Sequence, residues 1–137
     1  MNDEDQVLQA NEAFYRAFSA RDMAAMDALW AKRAPVACIH PGWGALITRE
    51  AVMTSWQGIL SSRNAPRVTC RGPRAFVAGD AAFVICFEMV EGGYLIATNI
   101  FTREDGAWRL THHQAGPTND APPEEKPAPD KPSKTIH

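Results

Sequence analysis

The chain has 137 residues, enough for one hydrophobic core and too few for two domains of ordinary size. A formal net charge of -2 and a pI near 6.1 provide no basic stripe for nucleic acid or an anionic membrane, so the expected partner is a small, neutral or weakly polar ligand. Cys38, Cys70 and Cys86 are odd in number and lack C-x-x-C spacing, which argues against a disulfide framework and a zinc knuckle and for buried thiols in a reducing compartment.

The acidic start "MNDEDQVLQA" lacks the basic residues and apolar run of a secretory signal, and no apolar stretch nears the roughly 20 residues of a membrane span. A cytoplasmic location is expected. From Asp5 to Ala20, Val7, Ala10, Phe14, Ala17 and Phe18 recur at helical spacing among polar residues, predicting an amphipathic helix. Asp22 then caps a shorter helix with Met23, Met26, Leu29 and Trp30 inside, and Pro35 forbids its continuation.

"VACIH" alternates, so Val36, Cys38 and His40 share one strand face and Ala37 and Ile39 the other, before "PGWG" turns the chain. Thr48 caps a third helix with Glu50 in its first turn and Val52, Trp56, Ile59 and Leu60 buried. From Arg67 to Ala115 the sequence reads as antiparallel sheet, with turns at "AGD", "EGG" and "EDG", and Gly72-Pro73 predicts a bulge that curls it. Beyond Gly116 proline and charge replace large apolar side chains, so residues 1–116 are expected to fold and 117–137 to form a disordered proline-rich tail. The expected fold class is α+β: a curled antiparallel sheet closed on one side by the N-terminal helices, forming a cone-shaped pocket.

The ordered series "RDMAAMDALW", "CIHPGW", "REAVMTSW", "AGDAAFVICFE", "ATNIFTREDGAW" and "LTHHQAG" resembles the SnoaL-like branch of the NTF2-like (cystatin-like) superfamily over residues 5–116. Among its members, ketosteroid isomerases carry a general-base aspartate just before a proline, the place of His40 before Pro41. They carry an acid two residues before a phenylalanine, the place of Asn99 before Phe101. Their helix tyrosine corresponds to Phe14, with Tyr15 one position on and turned by about 100°. The "TREDGAW…HHQAG" ending resembles the association domain of calcium/calmodulin-dependent kinase II as closely, which implies an oligomeric hub. Either relative implies a homodimer formed through the outer sheet face.

His40, Asn99 and His113 are therefore the candidate catalytic residues, and Tyr15, Trp30, Cys38, Trp43, Trp56 and Glu88 the candidate ligand contacts. His112 and His113 point to opposite faces. A three-residue "EDG" loop pairing Arg103 with Ala107 turns His113 inward, whereas a two-residue "DG" turn selects His112; the three-residue loop is the expectation. Glu88 is expected at an exposed strand end; if buried, its pKa rises and it can serve as an acid. Cys38 and His40 are about 6.6 Å apart along a strand, too far for an easy bond. No H-x-H or H-E-x-x-H motif specifies a metal, and no cofactor is required.

Two functions stay open. One is a proton-transfer enzyme, an isomerase, dehydratase or cyclase acting beside the carbonyl of a small apolar substrate, with His40 as base, Asn99 steadying the enolate oxygen and His113 or Tyr15 assisting. The other is a ligand-binding or oligomerisation module without chemistry.

Overall fold

Eight elements follow one another in a computed structural model that describes residues 1–124: α1 (Asp3–Ala20), α2 (Met23–Leu29), β1 (Ala37–Ile39), α3 (Arg49–Ser61), β2 (Thr69–Ala78), β3 (Ala81–Val90), β4 (Gly93–Glu104) and β5 (Ala107–Gly116). Each helix starts where a side chain can cap it. Asn2 accepts from the Asp5 N–H at 2.8 Å, Asp22 from Ala25 at 3.0 Å and Thr48 from Ala51 at 3.1 Å. The Asn2 cap and the acidic residues Asp3, Glu4 and Asp5 begin α1 two residues before the first one predicted. Residues 117–124 form no helix or strand, and the rest of the expected tail lies outside the described residues.

The strands form one five-stranded sheet in the order β1-β5-β4-β3-β2. It is curled and unclosed, with β1 and β2 as its edges. Three hairpins join β2 to β5, while β1 pairs with β5 in parallel. The sequence pattern missed that parallel pairing, because a three-residue strand carries no local signal of its direction. The expected bulge is present between Arg71 and Arg74. There Gly72 has φ +64°, and a Cβ on it would lie 3.0 Å from the Pro123 ring, so the backbone conformation and the returning chain both require glycine.

The last hairpin differs from the expectation. Glu104 pairs with Ala107, leaving Asp105 and Gly106 as a two-residue turn with φ 53° and 77°, the pair of positive values that suits strand twist. The register then slips. Leu110 faces Phe101 but His112 faces Ile100, so Thr111 is the extra residue of a bulge and His113 comes to face Asn99. The turn alone selects His112; the bulge reverses that choice.

Phe14, Phe18, Met26, Trp30, Val52, Trp56, Val84, Phe101 and Leu110 fill the space between helices and sheet. Glu104 fastens the α2–β1 connection by accepting the N–H groups of Lys32, Arg33 and Ala34 at 2.8, 3.0 and 3.1 Å. These three donors hold its carboxyl down at about 2. No helix among the described residues is long and apolar enough to cross a membrane.

Candidate functional site

One row of paired residues crosses the concave face: Cys38 opposite His113, His113 opposite Asn99, and Asn99 opposite Val84. Cys86 and Glu88 continue along β3 on the face that carries Val84, while Asn11 and Tyr15, one helical turn apart, come down from α1. His40, Glu88, Asn99 and His113 are 4, 3, 0 and 1% exposed, so Glu88 is a buried residue and not the exposed strand end expected of it. Such a group must find partners inside the protein.

The partners form a directed chain. Asn99 Nδ2 donates to Asn11 Oδ1 at 2.9 Å and to Tyr15 Oη at 3.1 Å, leaving Asn99 Oδ1 to accept from His113 Nδ1 at 2.6 Å. Tyr15 passes its own proton to Glu88 Oε2 at 2.7 Å, and Cys86 Sγ lies 3.4 Å from Tyr15 Oη. His113 Nε2 faces Glu88 Oε2 across 3.7 Å, closing a loop of four side chains. Tyr15 is thus within the cluster and not turned away: the sheet covers α1 over an arc wide enough to bury Phe14 and Tyr15 together. Because both Asn99 N–H groups are used inside the protein, the expectation that Asn99 steadies a ligand oxygen is corrected to that of an internal connector.

His40 forms the second half of the site. Its Nε2 is 2.9 Å from Ser55 Oγ, and the rings of Trp43 and Trp56 stand edge-on to its imidazole at 4.8 Å each. The His40 and His113 rings are 6.4 Å apart. Cys38 Sγ lies 3.6 Å from His40 Nε2, closer than backbone spacing suggested, since the side chains lean together. Burial nevertheless pushes the Cys38 thiol up to about 12, so it stays protonated.

Burial also sets the charges. It lowers His113 to about 3 and His40 to about 4, so both are neutral at physiological pH, and His40 is a weaker base than an exposed histidine. It raises Glu88 to about 7, with the Tyr15 hydrogen bond pulling the other way. Burial and the neighbouring Glu88 charge keep the Tyr15 phenol well above its ordinary value. The group that titrates near neutrality is therefore a carboxyl, not an imidazole.

Open space lies on both flanks of the cluster. A groove of about 820 Å³ runs along α3 between Trp43, Leu46, Thr54, Ser55 and Ile59. A second, of about 730 Å³, lies between α1 and β2 and is lined by Asn11, Tyr15, Arg16, Arg67 and Cys70. Neither is lined by His40, Asn99 or His113, which Trp43, Ser55, Tyr15 and Asn11 separate from the grooves. The expected hollow of the cone is thus occupied there by side chains, Phe14 and Trp56 among them.

Of the predicted site residues, His40, His113, Asn99, Tyr15, Cys38, Trp43, Trp56 and Glu88 come together. Trp30 does not: it is fully buried, bridges to Leu110 and lines none of the grooves. Asn11 and Ser55 were missed, although each is a polar residue on the apolar stripe of its helix, which signals a buried partner. Among the described residues no group of three His, Cys, Asp or Glu side chains is placed to hold a metal ion.

The sheet, its covering helices and this polar centre define an NTF2-like, cystatin-like domain, and the model of the SnoaL-like domain matches residues 7–119. The chain belongs to the SnoaL-like family. A solved NTF2-like protein of Streptomyces avermitilis, named as a proposed dehydratase, is 29% identical with a TM-score of 0.76, covering 85% of this chain and 96% of that one. A proposed calcium/calmodulin-dependent protein kinase type II association domain from Thiobacillus denitrificans is 32% identical with a TM-score of 0.71, covering 80% and 93%. The F-box protein SKIP8 of Arabidopsis thaliana is 26% identical over 111 residues, 80% of this chain; the chain spans about half (48%) of that relative's length.

Proposed function

We propose that the protein binds a small apolar, carbonyl-containing molecule and moves a proton on it, as a cofactor-independent isomerase or dehydratase. The observation that carries this reading is a neutral imidazole, His40, held 6.4 Å from a second one, His113, that is joined through Asn99 and Tyr15 to a carboxyl holding its proton up to about pH 7. His40 accepts the proton and gives it back, while the Glu88–Tyr15 pair, joined to His113 through Asn99, keeps the polar centre beside it neutral. Ligand enters from the groove along α3, where Trp43, half exposed over His40, swings aside. The proposed dehydratase activity of the Streptomyces relative agrees with this chemistry.

A second reading, a ligand-binding or oligomerisation module, is favoured by two features. Asn99 has no N–H left for a ligand oxygen, and Phe76, Phe83 and Ile100 form an exposed apolar row across the outer face. A homodimer through that face is proposed under either reading, as is a cytoplasmic location in view of three free thiols.

The test is a titration of the wild type and a His40→Gln variant with phenols as enolate mimics, followed by imidazole NMR and Trp43 fluorescence, and then by assays of isomerisation and dehydration. A phenol response at His40, with turnover lost in His40→Gln, supports the enzyme. Binding that survives in His40→Gln, with no turnover in the wild type, leaves the binding module.

A further inference from the structure

The side chain of Ser55 makes two short contacts, and a hydroxyl has only one proton to give. Its Oγ is 2.7 Å from the Val52 carbonyl oxygen and 2.9 Å from His40 Nε2. A carbonyl can only accept, so if the Ser55 proton went to His40, two oxygens would face each other at 2.7 Å with no proton between them. Both contacts are hydrogen bonds in one arrangement only: Ser55 donates to Val52, and His40 Nε2–H donates to Ser55.

We infer that Ser55 fixes the tautomer of His40 and thereby makes Nδ1 its basic nitrogen. The same bookkeeping runs in reverse at His113. Asn99 Oδ1 can only accept, so Nδ1 carries the His113 proton and Nε2 the lone pair, which faces Glu88. Two imidazoles 6.4 Å apart therefore hold opposite tautomers, each set by a neighbour that is not itself titratable. Cys38 Sγ lies 3.9 Å from His40 Nδ1 and 3.6 Å from Nε2, a weak sulfur contact to both nitrogens that does not choose between them as the Ser55 oxygen does.

The catalytic meaning rests on the proton-transfer reading, whereas the tautomer does not. In that reaction the ligand C–H bond breaks, its electron pair moves to the carbonyl oxygen, and the proton joins His40 Nδ1. The imidazolium keeps its Nε2–H bond to Ser55. Return of the Nδ1 proton to another carbon completes an isomerisation; its transfer to a departing hydroxyl completes a dehydration. Ser55 touches none of the reacting atoms and is a positioning residue, worth replacing because it chooses the nitrogen.

Two-bond proton–nitrogen NMR of the imidazoles, with His40 assigned from the His40→Gln variant, reads tautomers directly and needs no ligand. The expected wild-type pattern is a protonated Nε2 and a bare Nδ1 at His40, with the opposite at His113. Ser55→Ala leaves the buried Nε2–H only the weak sulfur acceptor Cys38 Sγ at 3.6 Å, so the Nδ1–H share of His40 rises roughly tenfold. Ser55→Thr restores the wild-type pattern. The His113 pattern stays fixed in all three and certifies the fold. An Nδ1–H pattern at His40 in the wild type, or an unchanged one in Ser55→Ala, overturns the inference. Should the tautomers be as stated but phenols leave His40 unmoved, the inference stands and the proton-transfer reading falls.

Discussion

His113 Nε2 and Glu88 Oε2 face each other across 3.7 Å, and burial favours the neutral form of both. Burial disfavours charge on either residue, yet pushes their pKa values in opposite directions, since neutrality means proton loss for histidine and proton retention for glutamate.

Glu88 consequently weakens the fold in alkali. Its folded pKa of about 7 lies above the ordinary 4.5, so its neutral form is fully accommodated below pH 4.5 and stability is lost as the pH rises through 7. Replacing it by Gln, which still accepts from Tyr15, removes that loss. Denaturant unfolding at pH 4 and pH 8 is expected to show Glu88→Gln gaining on the wild type by about 2 to 4 kcal/mol between the two. An equal gap at both values would place the carboxylate in solvent.

The buried histidines act at the other end of the scale. With folded values of about 4 for His40 and about 3 for His113 against an ordinary 6.5, the unfolded chain takes up their protons first, and stability falls as the pH drops below 6.5. Acid unfolding of His113→Gln is expected to be less steep between pH 6.5 and 4 than that of the wild type.

Tyr15→Phe keeps the ring and deletes the link between Asn99 and Glu88. One Asn99 N–H and one Glu88 oxygen then lose their partner, a loss of about 1 to 3 kcal/mol by chemical denaturation. The Tyr15 hydrogen bond lowers the Glu88 pKa, so the carboxyl titration, followed by infrared or carbon NMR, moves further up in this variant. A downward move contradicts the chain of donors described.

Glu104 tests a purely structural contact. Its three backbone donors hold its pKa at about 2, so the stability it contributes is complete above 4.5 and lost as the pH falls toward 2. Glu104→Gln is expected to be less stable than the wild type at pH 7, with the gap closing in acid.

The proposed dimer is read from sedimentation. Phe76 and Phe83 stack at 4.8 Å on the outer face, 43 and 41% exposed. A charge there, Phe83→Arg, is expected to turn a wild-type dimer into monomer with unchanged circular dichroism; a monomeric wild type refutes the dimer.

The helices and hairpins were legible because caps, stripes and turns are local signals: Asp22, Thr48 and the Val52–Trp56–Leu60 stripe stand where the sequence puts them. What escaped is nonlocal. The parallel pairing of β1 depends on a strand 75 residues away at Ala37–His112. The inward turn of His113 was reached from a three-residue loop that is absent, and holds because the bulge at Thr111 cancels the one-residue difference. Glu88 resembled a strand end until Tyr15 came from another element to cover it. Asn11 and Ser55 were visible as polar breaks in apolar stripes, and a polar break on a buried face is the sequence mark this centre leaves.

The unpaired Thr111 acts like a frame marker in β5. Strands address their side chains by parity, and one supernumerary residue reverses the parity of everything beyond it. The two adjacent histidines are therefore interchangeable tenants of one interior address. A bulge that migrated two residues along the strand, past His113, would hand the place opposite Asn99 to His112 without altering either residue, so a lineage of this fold could retune the histidine in its centre by editing the backbone alone.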